Sequence, residues 1–381
     1  MKRRFHVLEG ASEAMCAGAR IAVLVLLGFL NLAILPAERG AATEVKDPGT
    51  KKLYNEVADK GWIIFSAKSE KGDYDLFVSR PNGSGLRNIT RTPEYNELGA
   101  RFLPDGKRII YRRVGALKPK VDYRELIYGV LVIANADGSN PRTIGGEGDY
   151  PWATLSPDMK QLACLYKKEG KIRIFDFQTL KMVKEMSRQG IFWQLDWSPD
   201  GKEFCGTANV EGQEWNIVTY GLESGKVTLI SRVLDCTPDW FPDSRGCIFS
   251  HRNPGMASDD GGATARKVGE PNPNSYSWTM IMMADRAGKD RKLVVAEQYK
   301  HLYFATLSPD NKYVIYSRLD KDAMLAGPMA IIRLADTPII DGPWHAVEEQ
   351  YAKHAKRGPV LHLDLPPGFH PFWTFAKLGG K

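Results

Sequence analysis

Among the 45 acidic residues and 7 histidines of this 381-residue chain, five form a plausible constellation for acid–base or metal chemistry: Glu97, Asp149, Asp235, His301 and His370. Carboxylates paired with imidazoles can hold a metal ion, or can act as a base and the acid that polarises it. Tyr95 and Tyr150 stand beside them in the sequence and add aromatic surface for a ligand. A second group, Arg101, Asp196 and Asp239, sets one guanidinium against two carboxylates. It reads as ion pairing and water in a narrow channel; a hard-cation site is the sharper alternative, and no DxDxDG-type loop accompanies it. Neither group is contiguous, so the elements that gather them carry the argument.

Those elements repeat. Trp197-Ser198-Pro199-Asp200-Gly201-Lys202 recurs as Leu103-Pro104-Asp105-Gly106-Lys107, Ser156-Pro157-Asp158-Met159-Lys160, Phe241-Pro242-Asp243-Ser244-Arg245 and Ser308-Pro309-Asp310-Asn311-Lys312. Proline presets φ and the following Asp caps the backbone, so each copy is a tight turn between two apolar runs. The prolines 104, 157, 199, 242 and 309 approximate a period near 42 with insertions, which suits one four-stranded blade of a β-propeller. Blades are expected from about 97 to 148, 149 to 190, 191 to 233, 234 to 296 and from 301 to 365. Residues 61–90 supply three strands that lack an innermost partner. The aromatic strand Phe369–Phe375 supplies a spare one, and pairing the two predicts a closed, six-bladed all-β propeller over 61–381.

Aligned on the turn proline, with Lys377 standing in for it in the last copy, the innermost strands have one apolar and one polar row. The apolar row is Phe102, Leu155, Trp197, Trp240, Leu307 and Phe375; the polar row is Arg101, Thr154, Asp196, Asp239, Thr306 and Thr374. Alternation along a strand sends the rows to opposite faces, the polar one toward the axis. Tyr95, Glu97, Asp149, Tyr150, Asp235, His301 and His370 are expected in loops on the opposite rim, a candidate ligand-binding surface. Insertions 113–125, 252–275 and 319–328 share that rim, and 344–356 has helical character.

The remaining signals bound the class. Net charge is +7, with 43% hydrophobic and 25% charged residues. The excess is scattered, with no basic stripe, so no nucleic-acid partner is expected. Lys2, Arg3, Arg4 and Arg20 precede an apolar run from Ile21 to Leu35, then small residues. Residues 1–42 are therefore a signal peptide or an N-terminal membrane anchor, and 43–60 a linker or short capping helix. Cys164, Cys205, Cys236 and Cys247 match no zinc spacing and read as buried thiols. Mirror pairing about the fourth turn sets Cys236 opposite His251 and Cys247 opposite Trp240. No P-loop or dinucleotide fingerprint occurs, so no cofactor is expected.

The stretch Ile63 to Val114 resembles the TolB-type (WD40-like) propeller repeat family. It runs Ile-Ile-Phe-Ser, then Asp-Tyr-Asp-Leu-Phe-Val-Ser-Arg-Pro-Asn-Gly-Ser-Gly-Leu-Arg-Asn-Ile-Thr, then Leu-Pro-Asp-Gly-Lys-Arg-Ile-Ile-Tyr. The resemblance covers nearly all of 61–381 and implies a six-bladed propeller in the envelope of a Gram-negative-type bacterium. It extends to the propeller alone and not to TolB proper, whose additional α/β domain has no counterpart here. Related propellers precede peptidase domains, but no Gly-x-Ser-x-Gly elbow is present. The expected function is an exported, periplasmic or extracellular, monomeric binding module for an envelope protein or polysaccharide. The alternative is a carbohydrate-active lyase or hydrolase with its site in the rim pocket, requiring three of the five acid–base residues to converge.

Overall fold

The structure, a computed structural model, describes residues 47–115, 129–210, 212–231, 235–256, 271–297, 300–320, 326–334 and 358–378. The leader 1–42, the segment 344–356 and most of the three rim insertions lie outside the described residues. The first described element is helix α1 (Pro48–Val57), whose N-cap Asp47 accepts a hydrogen bond from the Thr50 amide. Among the described residues no helix is long and apolar enough to cross a membrane.

After α1 the described elements are all strands, paired antiparallel but for one parallel bridge. Strands β1 (Trp62–Lys68), β2 (Tyr74–Ser79) and β3 (Arg87–Asn88) come first, then β4 (Tyr95–Phe102), β5 (Arg108–Gly115), β6 (Val130–Asn135) and β7 (Arg142–Ile144). The next sheet contains β8 (Trp152–Leu155), β9 (Gln161–Tyr166), β10 (Lys171–Asp176) and β11 (Met182–Ser187). It is followed by β12 (Ile191–Trp197), β13 (Glu203–Val210), β14 (Gln213–Gly221) and β15 (Val227–Ser231). The strands β16 (Asp235–Trp240), β17 (Gly246–Met256), β18 (Pro271–Asp285), β19 (Lys292–Val295), β20 (Lys300–Leu307), β21 (Tyr313–Asp320), β22 (Met329–Arg333) and β23 (Leu361–His362) form one eight-stranded sheet. Its halves are joined through the parallel pair Thr279↔His301. The last strand, β24 (Gly368–Thr374), returns to β1 with Trp62 opposite Thr374 and Ile63 opposite Trp373. Around the eight-stranded sheet stand four sheets of four strands each, and together they make an all-β propeller.

The repeated turn works as its sequence dictates. Asp105, Asp158, Asp200, Asp243 and Asp310 each accept from the backbone amide two residues on. Where serine precedes the proline, its hydroxyl donates to that Asp and accepts from the first amide of the next strand. The residue after the Asp takes a left-handed conformation, at Gly106 and Gly201 but also at Met159, Ser244 and Asn311. The strained φ of the last three is held by two flanking strands and the side-chain caps.

The inner strands of the sheets are largely buried on both faces, which explains their nearly unbroken apolar runs, whereas the outer strand β11 is exposed. On β1, Ile63 and Phe65 pack toward Ile315, Ile331 and Trp373, while Ile64 packs toward Ala100, Phe102 and Tyr111. Within the eight-stranded sheet, Ile248, Ile281 and Met283 of one half meet Leu302, Val314 and Tyr316 of the other.

The innermost strands carry a feature the turn alignment did not foresee. Their registers slip between Leu98 and Arg101, Trp193 and Asp196, Cys236 and Asp239, Tyr303 and Thr306, and opposite the Ile64–Ser66 step of β1. At each slip one residue is left-handed: Gly99, Gln194, Thr237, Phe304 and His370. These are β-bulges, and they correct two expectations. His251 lies opposite Asp235, and Cys236 opposite Ser250, while Trp240 does pair with Cys247. In β24 the bulge aligns Phe372 with Arg101 and Trp373 with Phe102, so Lys377 is not the counterpart of the proline. Trp373 is buried and Phe375 is 40% exposed, the reverse of what the alignment on Lys377 implied.

Candidate functional site

The innermost strands β4, β8, β12, β16, β20 and β24 together line a cavity of about 560 Å³ that opens on the side of the repeated turns. Its wall is apolar, with Pro104, Pro157, Pro199, Pro242, Pro309 and Phe375 around it. Its floor is the polar row: Arg101 lies 3.0 Å from Asp196 and 3.4 Å from Asp239. Thr154 donates to Asp196 at 3.0 Å and Thr306 to Asp239 at 2.5 Å. Arg101 also sits 5.4 Å from the ring of Phe372, which occupies the position expected for Thr374. Burial, together with the charge of Asp196, raises the Asp239 carboxyl to about 7, against the pull of Arg101. The two aspartates raise the Arg101 guanidinium and keep it charged. One strand step farther from the turns the passage narrows to about 20 Å³ among Gln194, Thr237, Phe304 and His370.

The bulges produce that neck. His370 stacks on Trp152 at 5.7 Å and 10°, and lies 3.7 Å from the ring of Phe304. Burial and the nearby Arg112 and Arg101 push its imidazole well below the usual range, so it is neutral. Arg112 crosses beneath, donating to the Pro151 carbonyl at 2.9 Å and lying 4.0 Å over Trp152. A Cβ on Gly99 would fall 1.9 Å from Arg112 Nη2 and 3.3 Å from His370 Nδ1, so glycine is required there by space and by φ.

The seven rim candidates are distributed differently from the expectation. Glu97, Asp235, His301 and His370 are inside strands and buried, not on loops, because the bulges let the innermost strands continue past the point where the alignment ended them. Glu97 accepts from the Thr92 hydroxyl and lies 3.4 Å from Arg113; burial raises it to about 7. Asp235 Oδ1 is 2.5 Å from His251 Nδ1, a buried pair whose carboxyl is raised by burial. His301 stacks on Tyr303. Asp149 is in a turn, bonded to Lys168 at 2.8 Å, and Tyr150 packs on Tyr166 and Phe175. Tyr95 is exposed under Arg113. Among the described residues no group of three His, Cys, Asp or Glu is placed to hold a metal ion. Arg101, Asp196 and Asp239 do come together. The proline wall of the cavity was visible in the sequence as the turn repeat, but it was read only as a turn.

No protein-family model and no curated protein sequence matches the chain. Solved structures do. TolB from Acinetobacter baumannii is similar with a TM-score of 0.58 at 15% identity, over 83% of this chain and 67% of that one. A putative TolB from Agrobacterium tumefaciens gives 0.52 at 16%, over 83% and 94%. A chain of a nidogen/laminin complex gives 0.51 at 10%, over 82% and 98%. At these identities the likeness is one of fold, and the chain has the β-propeller architecture that TolB also has.

Proposed function

We propose that this chain is an exported, non-catalytic β-propeller of six blades, closed by β24 against β1, that binds a protein or polymer of a bacterial envelope. The count of six is supported by the division of the eight-stranded sheet at its lone parallel pair into two packed halves, β16–β19 and β20–β23. Closure is supported by the β24–β1 register. Export is supported by the charged, apolar and small-residue order of the leader.

The observation that carries binding is the placement of the long connections. β5 and β6, β17 and β18, and β21 and β22 are each a second and a third strand, so the strand ends between which the three insertions fall lie at the same edge of the propeller. The β17–β18 ladder runs on to Met256↔Pro271, an arm longer than any other hairpin of the fold. Connections at the edge of a rigid ring are suited to recognition. A solved nidogen/laminin complex contains a chain of similar fold. Catalysis is disfavoured because Glu97 and Asp235 are fully buried and engaged by Arg113 and His251.

The test is affinity capture from envelope extract by the full chain and by a variant lacking 257–270. A partner retained by the first and lost by the second, at unchanged melting temperature, supports the reading. An identical set of captured species from both counts against it.

A further inference from the structure

The four described cysteines are all free and buried, yet their surroundings differ. Cys164 is packed among apolar side chains of β5–β10, and Cys236 accepts from Arg252 at 3.5 Å. Cys205 and Cys247 instead meet each other. Cys205 stands on β13 opposite Asp196, and Cys247 on β17 opposite Trp240. The two belong to different sheets, both are fully buried, and with Trp240 they form a separate cluster. Burial and then the neighbouring Cys247 thiol raise the Cys205 thiol well above its usual range.

The boundary they occupy is fastened on both sides of them. Trp240 Nε1 donates to the Asp196 carbonyl at 3.1 Å, and the Asp200 amide donates to Ser244 at 3.0 Å. Arg286 reaches from the β18–β19 turn to Asp200 at 2.6 Å and Glu203 at 3.0 Å. Two thiols in one buried cluster, between sheets bonded to each other on either side of them, are candidates for a sulfur–sulfur bond.

We propose that Cys205 and Cys247 are a disulfide-forming pair that staples the β12–β15 sheet to β16–β19. One thiolate attacks a donor disulfide and expels one donor thiolate. The second then attacks the mixed disulfide and releases the other. The cysteines lose two protons and two electrons, and the donor becomes two thiols. Burial raises the Cys205 thiol, so the folded chain reacts slowly and the bond forms while the chain is folding. The pairing stands on the sheet boundary alone; its occurrence in the cell rests on the export proposed above.

The full chain is refolded with oxidised glutathione, remaining thiols are alkylated, and cysteine peptides are mapped by mass. The expected product links Cys205 to Cys247 and leaves Cys164 and Cys236 alkylated. It melts roughly 5 °C or more above the reduced chain, and reductant reverses the gain. Cys205→Ser and Cys247→Ser abolish the shift, while Cys164→Ser keeps it. Alkylation of both Cys205 and Cys247 in the wild type, or a bridge to any other cysteine, overturns the proposal without recourse to a variant. Chain recovered from an envelope fraction and alkylated at once should hold the same bond. If it is reduced there while the glutathione arm links the pair, the export reading fails and the pairing stands.

Discussion

Asp239 and Glu97 are the residues on which the chain's response to acid should turn. Both are buried, and each carboxyl is raised to about 7. In the unfolded chain they lose their protons near the ordinary values of about 4. Between about pH 4 and about 7 the folded state therefore holds protons that the unfolded state has released, and stability falls as pH rises through that window. Asp239→Asn and Glu97→Gln should each flatten part of the decline, read as urea midpoints at about pH 5 and about pH 7.5. A wild-type midpoint that rises across the window would show that these carboxyls are ionised in the fold. Arg101→Met removes the cation shared by Asp196 and Asp239 and leaves two facing carboxylates. A loss of about 3–5 kcal/mol at neutral pH, partly recovered in acid, is expected in the same titration.

At the scale of the strand, β24 separates what packing requires from what the alignment suggested. Trp373 is buried among Ile63, Phe65 and Tyr313, and its Nε1 donates to the Lys60 carbonyl at 2.6 Å. Trp373→Ala should cost about 3–5 kcal/mol in chemical denaturation. Phe375→Ala, at the exposed mouth of the cavity, should stay within about 1 kcal/mol. Equal losses would restore the alignment on Lys377. The error had a physical source. The Pro-Asp turns were legible because ring, carboxylate and left-handed residue are all local. A bulge adds a residue without a mark of its own, and β24 ends without the turn that anchored the other strands. Mirror pairing within one hairpin likewise could not disclose the meeting of Cys205 and Cys247, which belong to neighbouring sheets.

Across the whole molecule, stacking of sheets face to face leaves β1 and β24 dependent on each other. Removing 368–381 bares the β1 edge, a template for pairing with another chain. The truncated chain should lose the single cooperative melt and associate, seen by circular dichroism and light scattering. A monomer with an unchanged melt would mean that β24 is dispensable. The architecture was legible because the period of the turns is a global property written locally. The candidate site was legible only where it coincided with that period, as at Arg101, Asp196 and Asp239. Counting back from the proline puts the rim residues on loops, and strands lengthened by bulges absorb five of them, Tyr95 included.

The sheet containing β1 takes its members from strands made far apart in time. A ribosome delivers β1 long before β24, so β1 emerges with one side bare and waits until β24 has been made. Completion of that sheet is thereby timed to the synthesis of β24. Whatever detains β24, such as a ribosome stalled before it, keeps the earlier-made sheet unfinished.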